Sequence, residues 1–130
     1  MFAGLFKHRL PADKKALGKW GQKRCEKFLK NKGLRTLTRN FACKTGEIDL
    51  IMLDRDATVV FIEVKTRADE NFTAVENVIT LAKKNRMKKT ARFFLAAHKI
   101  NDRPLRFDVV TIVLDKGSSK QIRHYQNAFR

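Results

Sequence analysis

A chain of 130 residues with 43% hydrophobic side chains is long enough to bury one core. Its 29 Lys and Arg against 13 Asp and Glu leave a formal net charge of +16, which favours a polyanionic partner. No run approaches the ~20 apolar residues of a membrane span. The start, Met1–Lys7, lacks the charged region, apolar stretch and small-residue cleavage site of a secretory leader. The expectation is therefore a cytoplasmic protein with no membrane partner. Cys25 and Cys43 fit neither a zinc spacing nor a disulfide framework and read as reduced thiols. His8, His98 and His124 are scattered and receive no role.

Residues 1–12 read as a basic N-terminal arm with Pro11 near its end, and 13–130 as a single domain. Asp13 can cap a helix in which Leu17, Gly21, Cys25, Phe28 and Leu29 recur at helical spacing, with Trp20 on the flank of that face. Gly18 and Gly21 each weaken such a helix by up to about 1 kcal/mol. Their presence one turn apart predicts that something approaches the helix closely. Gly33 is its natural stop. Leu34–Phe41 is compatible with a strand, and Ala42–Gly46 with a loop. Ile48–Leu53 and Thr58–Lys65 are the clearest strands, joined by the short hairpin connection Asp54-Arg55-Asp56. Both carry apolar residues on both faces, as in a sheet covered on two sides. Thr66–Thr73 reads as a loop. Thr73-Ala74-Val75-Glu76 has the form of a capping box, and Thr80 is a second candidate cap. The next helix runs to about Ala97 on an apolar stripe of Ile79 or Ala82, Met87, Ala91, Phe94 and Leu95. A strong strand follows at Leu105–Leu114, then a turn over Asp115–Lys120 and an edge strand over Gln121–Phe129. The order gives an α/β fold, a central mixed β-sheet flanked by helices.

Two clusters of charge interrupt the clearest strands. Asp49 lies within Gly46-Glu47-Ile48-Asp49-Leu50-Ile51, and Glu63 and Lys65 lie within Phe61-Ile62-Glu63-Val64-Lys65. A charge in a buried strand is costly unless it is paired or holds a metal. Strand alternation points Glu63 and Lys65 the same way, and the hairpin brings Asp49 near Glu63 at its open end. Two carboxylates so close repel unless one is protonated or a cation sits between them. Hard oxygen ligands suit Mg²⁺ or Mn²⁺. Asp49, Glu63 and the Val64 carbonyl are the candidate metal ligands. Glu47, on the Asp49 face, is a further one. Lys65 is placed to orient a water or to stabilise charge at phosphorus. An E-x-K triplet alone is very common; the apolar strands around it and the preceding G-E-I-D strand make it a candidate site.

The G-x-x-G helix (Gly18, Gly21), Gly46-Glu47-Ile48-Asp49-Leu50-Ile51, Phe61-Ile62-Glu63-Val64-Lys65-Thr66-Arg67, Arg106-Phe107-Asp108-Val109-Val110 and the closing Asn127-Ala128-Phe129 closely resemble the YraN-type bacterial family. That family resembles the PD-(D/E)xK nuclease superfamily, on its Holliday-junction-resolvase-like branch, with the restriction-endonuclease-like fold. The resemblance implies metal and catalytic roles for Asp49, Glu63 and Lys65, and a Lys83 that reaches the site or the scissile phosphate. Arg67 matches as well, just outside the lysine strand. One position departs: the family's first helix usually carries a glutamate after its second glycine, and here that residue is Gln22. A neutral amide is a weaker ligand and no base; Glu26, one turn on, could substitute. A resolvase needs two active sites, so a homodimer fits the resemblance.

Lys84, Arg86, Lys88, Lys89 and Arg92 crowd the second helix, and Lys19 and Lys23 stand among the cations of the first. A solvated, solubilising face is the plain alternative for such runs. Together with Arg67 they are read as nucleic-acid contacts that position a substrate without reading its sequence. The expected function is DNA binding with Mg²⁺-dependent hydrolysis of phosphodiesters, on branched or structured DNA if the resolvase resemblance extends so far. The alternative is a non-catalytic nucleic-acid-binding or assembly module that keeps the fold. An adaptor for an acidic protein is a third reading, and it would show no dependence on divalent ions.

Overall fold

The computed structural model describes residues 13–67, 79–114 and 120–130. The N-terminal arm, the Thr73–Glu76 capping box, most of the loop after Thr66 and most of the Asp115–Lys120 turn lie outside them. The described elements are α1 (Lys14–Asn31), β1 (Arg35–Cys43), β2 (Gly46–Leu53), β3 (Val59–Arg67), α2 (Leu81–Ala97), β4 (Leu105–Leu114) and β5 (Lys120–Phe129).

Both helices begin where capping chemistry allows. Asp13 accepts from the Ala16 N–H, 2.7 Å, and Thr80 accepts from the Lys83 N–H, 3.1 Å, each relieving one unpaired donor of a first turn. α1 ends through Gly33, whose φ of 101° suits glycine. The Gly33 N–H reaches the Lys30 carbonyl and the Leu34 N–H the Leu29 carbonyl, while the Leu29 and Leu34 side chains share one core cluster. This is a Schellman stop with its hydrophobic contact.

The five strands lie side by side in chain order. β1–β2, β2–β3 and β4–β5 are antiparallel, and β3–β4 is parallel. The parallel step requires a crossover, and α2 supplies it. The expected mixed sheet flanked by helices is what forms. Alternation divides the core in two. Val60 and Ile62 join Cys25, Leu29, Leu50 and Met52 beneath α1. Val59 and Phe61 join Ile48, Ile51, Met87 and Phe94 beneath α2. Each fully buried side chain of this size stabilises the fold by roughly 1.5–3 kcal/mol.

Three departures from the sequence reading bear on the site. β1 runs on through Cys43, so the loop shrinks to the turn before Gly46. β3 extends to Arg67, past the expected stop at Lys65. The hairpin turn includes Ala57, at a φ of 69°, and β3 starts at Val59. That extra turn residue moves the hairpin centre from Arg55 to Asp56, which puts Asp49 and Glu63 at equal distance from it.

Candidate active site

The site forms where β2 and β3 part. Their ladder runs from Leu53↔Val59 to Leu50↔Ile62 and stops one residue short of Asp49 and Glu63. β3 meanwhile continues in register with β4, pairing Glu63 with Val109 and Lys65 with Thr111. Ile48 and Ile51 both belong to the cluster under α2, whereas Leu50 faces α1, so the alternation of β2 breaks at Asp49. The Val64 N–H has lost its partner on β2. Asp49 Oδ2 accepts from it instead, at 2.8 Å. A side chain thus replaces a rung of the ladder, and it fixes one oxygen of the carboxylate.

Glu63 follows Phe61 on the face toward α2 and is 3% exposed. Its Oε2 pairs with Lys65 Nζ at 3.2 Å and with Lys83 Nζ from the first turn of α2. Asp49 Oδ1 and Glu63 Oε1 have no hydrogen-bond or ion-pair partner among the described residues. Burial pushes the Asp49 carboxyl up to about 7, helped by the nearby Glu63 charge and resisted by the Val64 N–H and Lys83. Burial alone would depress Lys83, but its contact with Glu63 outweighs that and raises it. Exposed Glu47 adds a smaller repulsion on Asp49. The Cys25 thiol beneath α1 is pushed up by burial first and then by Asp49. Asp49 is therefore felt from both faces of the sheet, as expected for a carboxylate in the gap between two strands.

These groups fit a hard divalent ion. Among the described residues no three His, Cys, Asp or Glu side chains form a ready cage. Mg²⁺ needs no such cage, since it keeps several waters and takes one or two carboxylates. The pair offers one fixed and one unpartnered oxygen on each acid, and a cation would relieve the repulsion that raises Asp49.

Of the residues singled out in the sequence, Asp49, Glu63, Lys65 and Lys83 converge, with Glu47 beside them. Glu26 does not join them, which corrects the expectation that it could substitute at a second metal position. It is held by Arg39 through Nε at 2.8 Å and Nη2 at 2.7 Å, by Thr36, and by Lys30 at 3.6 Å. The Arg39 hydrogen bond holds the Glu26 carboxyl below its usual range against some burial. Gln22 lines a different cavity, of about 410 Å³, with Lys19, Lys23, Glu26 and Arg39. On α2, Arg86, Lys89 and Arg92 are exposed and Lys84 and Lys88 half-buried, with Lys84 Nζ 5.7 Å from the Phe129 ring centre. No acid lies in α2 to neutralise them.

Sequence reasoning missed a buried network centred on β4 and β5, where Asp108 pairs in register with Ile62, the residue before Glu63. Asp108, wholly buried, accepts from Arg106 Nε at 3.0 Å, from His124 Nε2 at 2.7 Å and from the Asn127 N–H at 2.9 Å. Arg106 Nη1 reaches Asp54 in the hairpin, 2.8 Å, and His124 Nδ1 meets Lys32 Nζ beyond the end of α1, 3.1 Å. The R-F-D motif therefore ties β4 to β5, the hairpin and the first helix. The i, i+2 spacing of Arg106 and Asp108 placed them on one face, but nothing in the sequence tied them to His124.

A sequence model of the Uncharacterised protein family UPF0102 matches residues 21–112. A UPF0102 protein of Pelotomaculum thermopropionicum is 36% identical over 117 residues, spanning 89% of this chain and 97% of that one. Two solved structures are more distant. An EndoMS–dsDNA2 complex is 20% identical over 65% of this chain and 32% of its own, with a TM-score of 0.39. A repair endonuclease from Pyrococcus abyssi is 15% identical over 83% of this chain and 42% of its own, with a TM-score of 0.42. This chain spans less than half of either of those proteins. No helix among the described residues is long and apolar enough to cross a membrane.

Proposed function

The chain belongs to the UPF0102 family, and from that premise and the geometry of its acid pair we propose that it is a metal-dependent nuclease acting on DNA. The observation that carries the reading is a sheet opened at one point. There, two carboxylates from adjoining strands stand together, Asp49 pushed up to about 7, with Lys65 and Lys83 on Glu63. A structural ion pair needs neither the second acid nor the interrupted ladder.

Asp49, Glu63 and the Val64 carbonyl would hold a Mg²⁺ or Mn²⁺ ion. When bound, such an ion polarises a phosphoryl oxygen and makes water a better nucleophile near neutral pH. The chain's own groups do the rest. The Val64 N–H keeps Asp49 aimed into the gap. Lys83 holds Glu63 from α2, and Lys65, resting on the same carboxylate oxygen, would turn its ammonium toward charge developing on the phosphate. Exposed cations on both helices hold the sugar–phosphate backbone without reading bases. A homodimer is proposed with this reading and is checked by light scattering.

A second reading, a nucleic-acid-binding module without turnover, is favoured by Gln22 and by the two ammonium groups already resting on Glu63. A cleavage panel of duplex, single-stranded and branched DNA separates the two, run with and without Mg²⁺ or Mn²⁺ beside Asp49→Ala and Glu63→Ala. The nuclease reading expects ion-dependent cleavage lost in both variants. Cleavage that survives both variants removes the site. Salt-sensitive binding without cleavage of any substrate selects the module.

A further inference from the structure

The hairpin end of the sheet, the end away from Arg67, Leu114 and Lys120, carries a cavity of about 410 Å³. Arginines from three separate segments line it: Arg35 at the start of β1, Arg55 in the turn between β2 and β3, and Arg103 ahead of β4. All three are exposed. The acid in the lining, Asp54, is engaged elsewhere. Its Oδ2 accepts from Arg106 Nη1 at 2.8 Å and its Oδ1 from the Arg55 backbone N–H at 2.7 Å. The Arg106 contact also holds the Asp54 carboxyl below its usual range. Asp56, further round the turn, accepts from the Thr58 N–H at 3.1 Å. Arg55 is seated against the backbone: a Cβ on Gly33 would run into its guanidinium. The glycine that stops α1 thus also makes room for this side chain.

We propose that this cavity is a phosphate site, where Arg35, Arg55 and Arg103 hold a backbone phosphate of nucleic acid at a distance from the acid pair. This deepens the nucleic-acid part of the proposed function and rests on it. A guanidinium fork donates to two oxygens at once. One carboxylate is satisfied by a single fork, whereas the oxygens of a phosphate can accept from several. Three arginines around one cavity therefore suit a phosphate better than an acidic peptide. The volume is that of a small-ligand pocket, enough for a phosphate with its sugar. Val59, at this end of β3, stands about 13 Å along the strand from Glu63. One nucleic-acid strand covers that span in about four nucleotides. A strand engaged at the acid pair is therefore long enough to reach the cavity a few nucleotides on.

The test follows the arginine Nε–H resonances of the wild type by heteronuclear NMR in EDTA, with duplex DNA, inorganic phosphate or poly-glutamate added in separate titrations. Arg35, Arg55 and Arg103 should shift with DNA and saturate together, while Arg106, already held by Asp54 and Asp108, should stay in place. Fluorescence anisotropy then compares the wild type with Arg35→Ala combined with Arg103→Ala. Both positions are exposed, so circular dichroism and Tm should match the wild type. The expected result is a loss of duplex affinity of about tenfold or more, with a logarithmic salt slope shallower by about 1.8, the equivalent of two phosphate contacts. Resonances that do not move at saturating DNA, or a variant with wild-type affinity and slope, overturn the site. Shifts with poly-glutamate or inorganic phosphate but not with DNA overturn the nucleic-acid assignment. Should the variant fail to fold, the wild-type resonances decide alone. If the wild type binds no DNA, the proposed function falls together with this site. If it binds DNA and the variant is indistinguishable from it, the site alone falls.

Discussion

Replacing Asp49 by Asn should make the metal-free protein more stable, and by a calculable amount. Burial and the Glu63 charge hold the Asp49 carboxyl at about 7 in the fold, against 3.8 for an ordinary aspartate. A raised folded value means that the native state binds the proton more tightly than the unfolded chain. Its stabilising contribution is complete below about pH 4 and is lost as pH rises through 7. A difference of about 3 pKa units at roughly 1.4 kcal/mol each sets a ceiling near 4 kcal/mol. A neutral amide accepts from the Val64 N–H less strongly than a carboxylate, which returns about 1 kcal/mol. The net expectation is roughly 2–3 kcal/mol at pH 8.5, or about 6–15 °C in Tm. The assay is a set of thermal and urea melts of both proteins in EDTA from pH 4 to 8.5. The gain should be absent near pH 4, grow between 5 and 7, and level off above. Excess Mg²⁺ at pH 8.5 should then stabilise only the wild type, because ligand binding to the native state alone raises stability. A variant that is equally stable or weaker at pH 8.5 would refute the reasoning about the buried acid pair.

Other outcomes follow from neighbouring features. Lys65→Ala should lower the cleavage rate about 10²–10³-fold in single-turnover assays while leaving DNA affinity near wild type. Gly21→Ala should cost about 1–3 kcal/mol through its collision with Thr66, and Thr66→Ala should rescue it; Gly18→Ala should be neutral or stabilising by up to about 1 kcal/mol, both read from denaturant midpoints. Asp108→Ala removes the buried partner of His124 and of Arg106 Nε, leaving Arg106 with Asp54 alone, and should cost about 3–5 kcal/mol, measured by urea unfolding at pH 7. DNA binding should weaken with salt at a logarithmic slope of about −0.9 per phosphate contact, and replacing Arg86, Lys89 and Arg92 by Ala should make that slope shallower.

The elements and the acid pair were legible because each rests on a local rule. Asp13, Thr80 and Gly33 cap or stop helices through bonds made within a few residues, and the apolar runs of β2 and β3 announce a sheet covered on both faces. Asp49 and Glu63 could be brought together from hairpin counting alone, although the true centre, one residue later, depended on Ala57 adopting a left-handed conformation that its side chain does not advertise. Glu26 was misjudged for a different reason. Helical spacing placed it near Gln22, but only the pairing of β1 with β2 brings Arg39 across to hold it. His124 joins Asp108 through the bulge at Asn127, φ 51°, which breaks the β4–β5 register. Contacts of that kind join residues distant in sequence and leave no periodic trace. Gly18 and Gly21 looked alike in sequence; the structure separates them, since Thr66 packs against Gly21 and no described residue would meet a Cβ at Gly18.

Titration of the protein with Mn²⁺ at pH 8, with free Mn²⁺ followed by electron paramagnetic resonance, tests the acid pair most directly. Wild type should bind the ion with release of a fraction of a proton, and Asp49→Ala and Glu63→Ala should each abolish that binding. Equal Mn²⁺ uptake by wild type and both variants, or none by wild type, would contradict the account.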